Sequence, residues 1–450
     1  MKQGQMMETE NISSLLWKFS APAVTGMIVG AMYNVVDSVF VGRGVGEIAL
    51  TAVTLAFPIM TLLMAVGMLV GLGAAAVVSI SLGQKNLMQA ELTLGNALTM
   101  MLVFVLSTTG VILWKLDWLL VVCLGATSEV LPYAHDFLAV ILLGSIGLHV
   151  GFGLNNVIRA QGDPKTALMT QIISAVINAA LNYLFVFCLG WGIQGSAWAT
   201  VVAQAVAAYL VLAHFIKGKG LLKLRLANLT PQLHIVKEIF KIGVAPFLMQ
   251  VGVSLVMVVL NLRIIAFGGM TAVAAFGIIN RILMMVLMPV AGISQGAQPL
   301  LGYNYGARSF DRVLETLNKA LLWSTIICVI GFVGVEFFAA TIVRLFNDEP
   351  ALIEVGTYGL RIFLAALPII GFQIIGANYF QAIGKAYYSI GFNVLRQLLV
   401  LIPMVFLLSH YWGLAGVWVA GPVSDLASAA ATGVCLWSDI RKDKRRFASV

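Results

Sequence analysis

Twelve stretches of this chain are each apolar for long enough to carry a helix through a lipid bilayer, which takes about 20 residues. They run near 15–41, 51–82, 93–114, 134–159, 166–190 and 194–216, then near 239–267, 271–301, 316–342, 355–383, 386–410 and 412–437. Lipid offers no partner to backbone N–H and C=O groups, so runs of this length must be helical. Composition points the same way. The 450 residues are 60% hydrophobic and 10% charged, with a mean hydropathy of +0.97, whereas soluble domains carry about 25% charged residues. A water-soluble enzyme, a secreted disulfide scaffold and a disordered chain are excluded. Cys123, Cys188, Cys328 and Cys435 are far apart and form no CxxC or Cys/His set, so they read as small hydrophobes. Pro22, Pro58, Pro246, Pro289, Pro368 and Pro403 fall inside predicted spans, where neighbouring helices can satisfy the carbonyls freed by a bend. Residues 1–14 lack the basic region and cleavage site of a signal peptide, so insertion is expected to rely on the first helix.

Charge in the connections sets the orientation. Twenty Lys and Arg residues fall on the side of the N-terminus, the even-to-odd loops and the tail; Arg43, Lys115 and Arg344 are the three on the other. The positive-inside rule then places both termini in the cytoplasm, with an even number of spans. The formal charge of +8 reads as a cytoplasmic membrane face and not as a nucleic-acid surface. The tail Arg441-Lys442-Asp443-Lys444-Arg445-Arg446 reads as a topology anchor.

The chain repeats itself. Ala21-Pro22 matches Ala245-Pro246, Leu82-Gly83 matches Leu301-Gly302, Ala160 and Gly162 match Ala382 and Gly384, and Trp191-Gly192 matches Trp412-Gly413, at offsets of 224, 219, 222 and 221. Six spans per half is an even number, so both halves enter the membrane from the same side. The expected fold is an all-α polytopic membrane protein, with twelve transmembrane helices in two parallel six-helix lobes related by a pseudo-two-fold along the membrane normal. The predicted divisions are an N-terminal lobe over 1–216, a basic cytoplasmic linker over 217–238, a C-terminal lobe over 239–437 and a basic tail over 438–450.

Charge inside a membrane costs several kcal/mol, so each such residue needs a reason. Asp37 and Tyr33 lie four apart on one face of the first helix, Asn178 and Asn182 four apart on one face of the fifth, and Thr200 on the sixth. A carboxylate, two amides, a hydroxyl and a phenol in one place suit a proton or a Na⁺ ion at Asp37, Asn178, Asn182 and Thr200; the same groups can also simply tie helices together. Glu336 reads as an interfacial or paired acid, and Asp425 lies near the middle of the last helix. Arg263, Arg281, Arg361 and Arg396 read as snorkelling or paired. At the offset of 224, Asp37 maps to Asn261, so ion chemistry is concentrated in the first half. Gln250 and Asn261 suit either substrate contact or a helix–helix bond. Met60, Met64 and Met68, and again Met284, Met285 and Met288, suit either a promiscuous apolar pocket or a packing stripe. No metal-binding or catalytic set emerges: His135, His149, His214, His234 and His410 form no HxxxH or HExxH pattern. No enzyme activity and no resident cofactor are expected.

Over nearly its whole length the chain resembles the multidrug and toxin extrusion (MATE) transporters. The resemblance rests on Tyr33-Asn34-Val35-Val36-Asp37 with Val41-Gly42, on Arg159-Ala160-Gln161-Gly162-Asp163-Pro164-Lys165-Thr166, on the Asn178/Asn182 helix and on Gly195-Ser196-Ala197-Trp198-Ala199-Thr200. It implies an antiporter in a prokaryotic cytoplasmic membrane that exports organic, often cationic and aromatic, compounds in exchange for H⁺ or Na⁺, without nucleic acid and as a monomer. It implies that Asp37 carries the coupling ion, with Tyr33, Asn178 and Thr200 as companions. It further implies that Pro22 accompanies helix bending and that Asn155 lines a cavity; Asn34, Met60, Met64, Gln250 and Asn261 complete the expected substrate-cavity set. Where the family often has a second aspartate followed by proline, this chain reads Asn182-Tyr183, which leaves one carboxylate and favours H⁺. A lipid-linked oligosaccharide flippase of related architecture is the alternative.

Overall fold

Helix boundaries follow the local sequence. Asn86 accepts from the backbone N–H of Gln89 at 3.1 Å and starts one helix. Asp163, followed by Pro164 in the first turn, accepts from Thr166 N at 3.1 Å and starts another. The computed structural model describes residues 2–218 and 220–448, which leaves Lys219 outside it. The first six apolar runs become α1 (Ile12–Gly44), α2 (Glu47–Gly83), α3 (Leu87–Trp114), α4 (Leu131–Ala160), α5 (Pro164–Cys188) and α6 (Gly192–Ile216). Leu233–Gly306 is then helical for 74 residues, broken at Gly269 with φ 63° and ψ −162°. A straight helix of that length would run about 110 Å, several times the bilayer core. The break, at a backbone conformation open to glycine, therefore divides it into α7 (233–268) and α8 (270–306). α9 is Phe310–Arg344; α10 is Pro350–Phe363 with Leu367–Ala382, bent by 47°; α11 is Ala386–Trp412 and α12 is Leu414–Lys442. The described residues thus hold twelve apolar crossings and no strand.

The chain forms two compact units, and they are not cut where the sequence halves meet. One contains Thr25–Phe247 together with the N-terminal residues through Thr9; the other contains Glu10–Val24 and the chain from Leu248 onward. Two of the three changes of unit, after Val24 and after Phe247, fall just past the repeat-related prolines, Pro22 in α1 and Pro246 in α7. Within the first unit the early part of α7 crosses α2 with backbone against backbone: a Cβ on Gly243 would strike the carbonyl oxygen of Leu69, and one on Gly73 that of Ile239. Within the second unit α1 crosses α8 in the same manner, with Gly296 against the backbone of Ser20 and Gly292 against that of Val24. Gly73 and Gly292 are 219 residues apart, the offset of the Leu-Gly repeat pair, so one crossing has been built twice.

The basic linker is strapped to the first unit. Leu222 N donates to Gln161 Oε1 and Lys223 N to Glu91 Oε1, both at 3.2 Å, while Arg225 Nε pairs with Glu91 Oε2 at 3.1 Å. A 3₁₀ turn, Leu226–Leu229, then brings Gln232 N onto Asn96 Oδ1 at 2.6 Å and Leu229 O onto Thr99 Oγ1 at 2.7 Å.

Candidate ion-coupling site

The site lies entirely within the first unit, where the C-terminal half of α1 meets α5 and α6. Gly44 lets α1 lie on Val186 of α5, and Gly195 lets α6 pass the backbone of Phe185, where a Cβ would sit 3.1 Å from the Phe185 carbonyl carbon. α5 is α-helical through Asn182 and then widens into a π turn, Tyr183–Cys188. Such turns recur at functional sites, and this one begins at Tyr183, directly after Asn182.

Asp37 Oδ1 accepts two hydrogen bonds, from Asn182 Nδ2 at 2.9 Å and Ser196 Oγ at 3.0 Å. Its Oδ2 takes no donor among the described residues. Asn178 Nδ2 donates to Thr200 Oγ1 at 3.2 Å, and Asn182 Nδ2 also reaches Asn178 O at 3.2 Å. Asn178, Asn182, Ser196 and Thr200 are all 3% exposed or less, so water does not compete for their bonds. Tyr33 stands beside Thr200, Asn178 and Asp37. Three buried polar atoms of the site have no hydrogen-bond partner among the described residues: Tyr33 Oη, Asn178 Oδ1 and Asn182 Oδ1. An unmet acceptor in a dry site costs about 1–3 kcal/mol. Two of them beside a half-satisfied carboxylate make a site that gains by taking up a proton or a small cation.

All five residues expected at the coupling site, Asp37, Tyr33, Asn178, Asn182 and Thr200, are thus neighbours. Ser196 belongs with them and sequence reasoning missed it. It lies four residues before Thr200 on the same face, and that spacing was the available signal.

The residues expected at the substrate cavity are dispersed. Asn34 Nδ2 donates to Gly30 O at 3.0 Å, and Asn34 lines an open groove of ≈ 520 Å³ with Ser38, Gly42, Arg43 and Leu50. Asn155 is buried, donates to Ala167 O at 2.9 Å and Thr170 Oγ1 at 2.6 Å, and so ties α4 to α5. Next to it Gln171 lies over the bare backbone of Gly26, one turn past Pro22 in α1. Met60 is part-buried against the apolar cluster of Ala56, Leu63 and Phe137, while Met64 is exposed. Gln250 and Asn261 belong to the second unit; Asn261 is exposed and Gln250 half-buried.

The four arginines expected within spans are paired or stacked. Arg361 lies 3.8 Å from Glu336 and Arg396 lies 2.7 Å from Asp425. Arg263 donates to Ser409 Oγ at 3.2 Å over the Phe406 ring, and Arg281 lies over Phe346.

Comparison with known proteins agrees with this architecture. The MatE family model matches residues 22–184 and again 246–407, starting at Pro22 and at its repeat partner Pro246. Multidrug export protein MepA of Staphylococcus haemolyticus (strain JCSC1435) is 27% identical over 419 residues, covering 93% of this chain and 92% of its own. The protein of the same name from Staphylococcus aureus (strain N315) is 26% identical over 438 residues, covering 96% and 95%. A crystal structure of MATE in the bent conformation superposes with a TM-score of 0.94 at 24% identity, covering 100% of this chain and 99% of the other.

Proposed function

The chain belongs to the MatE family, and on that premise we propose that it is a secondary active efflux antiporter exporting organic, cationic or aromatic compounds in exchange for H⁺. The carrying observation is the uneven solvation of Asp37: one carboxylate oxygen saturated by two donors, the other free, within a buried polar pocket. The free Oδ2 is where a proton enters. A proton from the outer side neutralises Asp37, removes its attraction for a cationic substrate and favours release. Once the protein opens inward, the proton leaves and the carboxylate attracts the next substrate. One charge moving through 100 mV supplies about 2.3 kcal/mol, enough for a gradient of about fifty-fold at 1.4 kcal/mol per tenfold. A single carboxylate is therefore sufficient.

The asymmetry of Lys and Arg supports cytoplasmic termini in a prokaryotic cytoplasmic membrane; the chain works there as a monomer. One observation favours Na⁺ as a second reading of the coupling ion: Asn178 Oδ1 and Asn182 Oδ1 are both unpartnered, and a cation meets two acceptors where one proton meets one. Efflux of a cationic dye from proteoliposomes, with a pH gradient and a Na⁺ gradient imposed separately, tests both. Export driven by the pH gradient alone supports the proton antiporter. Export driven only by Na⁺ transfers the role to the cation, and no export under either gradient overturns the antiporter reading in favour of a flippase.

A further inference from the structure

The second unit has no carboxylate at the place corresponding to Asp37, but it buries a charge pair of its own. Arg396 lies about ten residues, or roughly 15 Å, into α11, and Asp425 about as far into α12, so both are near mid-bilayer. Their contact is a single one, Arg396 Nε to Asp425 Oδ1 at 2.7 Å. It is not the fork in which two guanidinium nitrogens meet two carboxylate oxygens. The terminal nitrogens Nη1 and Nη2 have no partner among the described residues. The Arg396 side chain is 23% exposed and that of Asp425 only 8%. Bare guanidinium N–H groups facing hydrocarbon at this depth would cost several kcal/mol, which argues for a polar partner or water on the open, 23% exposed side of Arg396.

Two features argue that the pair is more than a brace. Arg396 sits on a π-helical segment, Leu395–Leu401, which widens the helix and redirects its side chains. In addition, the equivalent contact in the first half needs no charge. Ser174 corresponds to Arg396 and Gln204 to Asp425, at the offsets of 222 and 221 that relate these helices; there Ser174 Oγ donates to the neighbouring Ala203 O at 3.0 Å. A hydroxyl holds those two helices together, so the costly ion pair of the second half has a different task.

We propose that Arg396 is an anion-recognition site of the second unit that takes the carboxylate of a zwitterionic or anionic organic substrate on Nη1 and Nη2, with Asp425 holding the guanidinium through Nε so that this edge faces outward. The free edge offers two parallel N–H groups, the geometry a carboxylate accepts in bidentate fashion. The inference rests on the export reading above and extends its substrates beyond cations.

The test compares a zwitterionic aromatic amino acid derivative with its methyl ester, which keeps the ammonium and the ring but replaces the carboxylate with a neutral ester. Proteoliposome efflux gives kcat/KM for each, and the ratio within one variant cancels any difference in folded fraction. Wild type should favour the zwitterion, and the charge-neutral double variant Arg396→Gln/Asp425→Asn should lower the ratio about tenfold or more, the worth of hydrogen bonds to a charged group. Should the double variant not fold, Arg396→Lys retains the charge without the fork and should also lower the ratio. A ratio that stays at the wild-type value in the folded variant overturns the proposal. If wild type exports neither probe, it is the export reading that fails. Equilibrium binding of the two probes to the solubilised protein, followed by tryptophan fluorescence, then decides the inference alone: a carboxylate preference lost with Arg396 supports it, and no preference overturns it.

Discussion

Asp37 is held by groups that differ in what they can give up. Its Oδ1 is fixed by Asn182 and Ser196, and its Oδ2 takes no donor among the described residues, the place where the proposed antiport exchanges its proton. Asp37→Asn retains the shape and removes the charge, so it should fold and insert while losing gradient-driven export; comparing expression with dye efflux checks this. Ser196→Ala deletes one of the two donors. A hydrogen bond to a charged group contributes about 1.5–3 kcal/mol, so export should fall about tenfold or more, whereas loss of a merely structural hydroxyl would leave it within about twofold. Asn182→Asp puts a second carboxylate next to Asp37 and near the unpartnered Asn178 Oδ1, and should raise the stimulation of export by Na⁺. The α1 and α5 positions of this cluster were legible because four-residue spacing shows in the sequence. Ser196 was hidden in a run of small residues, where a buried serine looks like helix packing.

The helices themselves meet through glycine. Gly243 and Gly296 lie at the two repeat-related crossings, and both have backbone atoms as close neighbours there, which cannot rotate aside. Overpacking costs about 1–3 kcal/mol even where side chains can yield. Gly243→Val and Gly296→Val should each lower the thermal unfolding temperature and reduce the yield of folded protein, while Gly277→Val, with open space around its Cβ position, should not. The linker offers a second check at this scale. Asn96 holds both Gln232 N and Asn228 O, so Asn96→Leu should free the strap and speed proteolysis across 220–232. None of this was legible in the linker's composition; what binds it are single polar side chains on α3 and just past the end of α4 that meet backbone groups more than 60 residues away.

At the scale of the whole molecule, the twelve crossings and the duplication were written in hydropathy and in repeated Pro, Gly and Trp anchors, because each depends on local sequence. The change of unit partway along α1 and α7 was not, because it depends on which surfaces the early turns of each helix find. The continuous path through Gly269 and the 47° bend in α10 likewise need three-dimensional packing to decide between a loop and a break. Divergence between the halves follows the same division: Asp37 against Asn261 is visible by alignment, but the single-contact pair of Arg396 and Asp425 is visible only in the fold. The central claim is that a proton and a cationic substrate compete for one carboxylate, and proton release on substrate binding measures that directly. Purified protein in lightly buffered detergent solution, titrated with a permanently cationic dye at the pH of fastest transport, should release up to one proton per dye bound, and the Asp37→Asn variant none. Equal release from both proteins, or dye binding by wild type with no proton released at any pH where it transports, would contradict the claim.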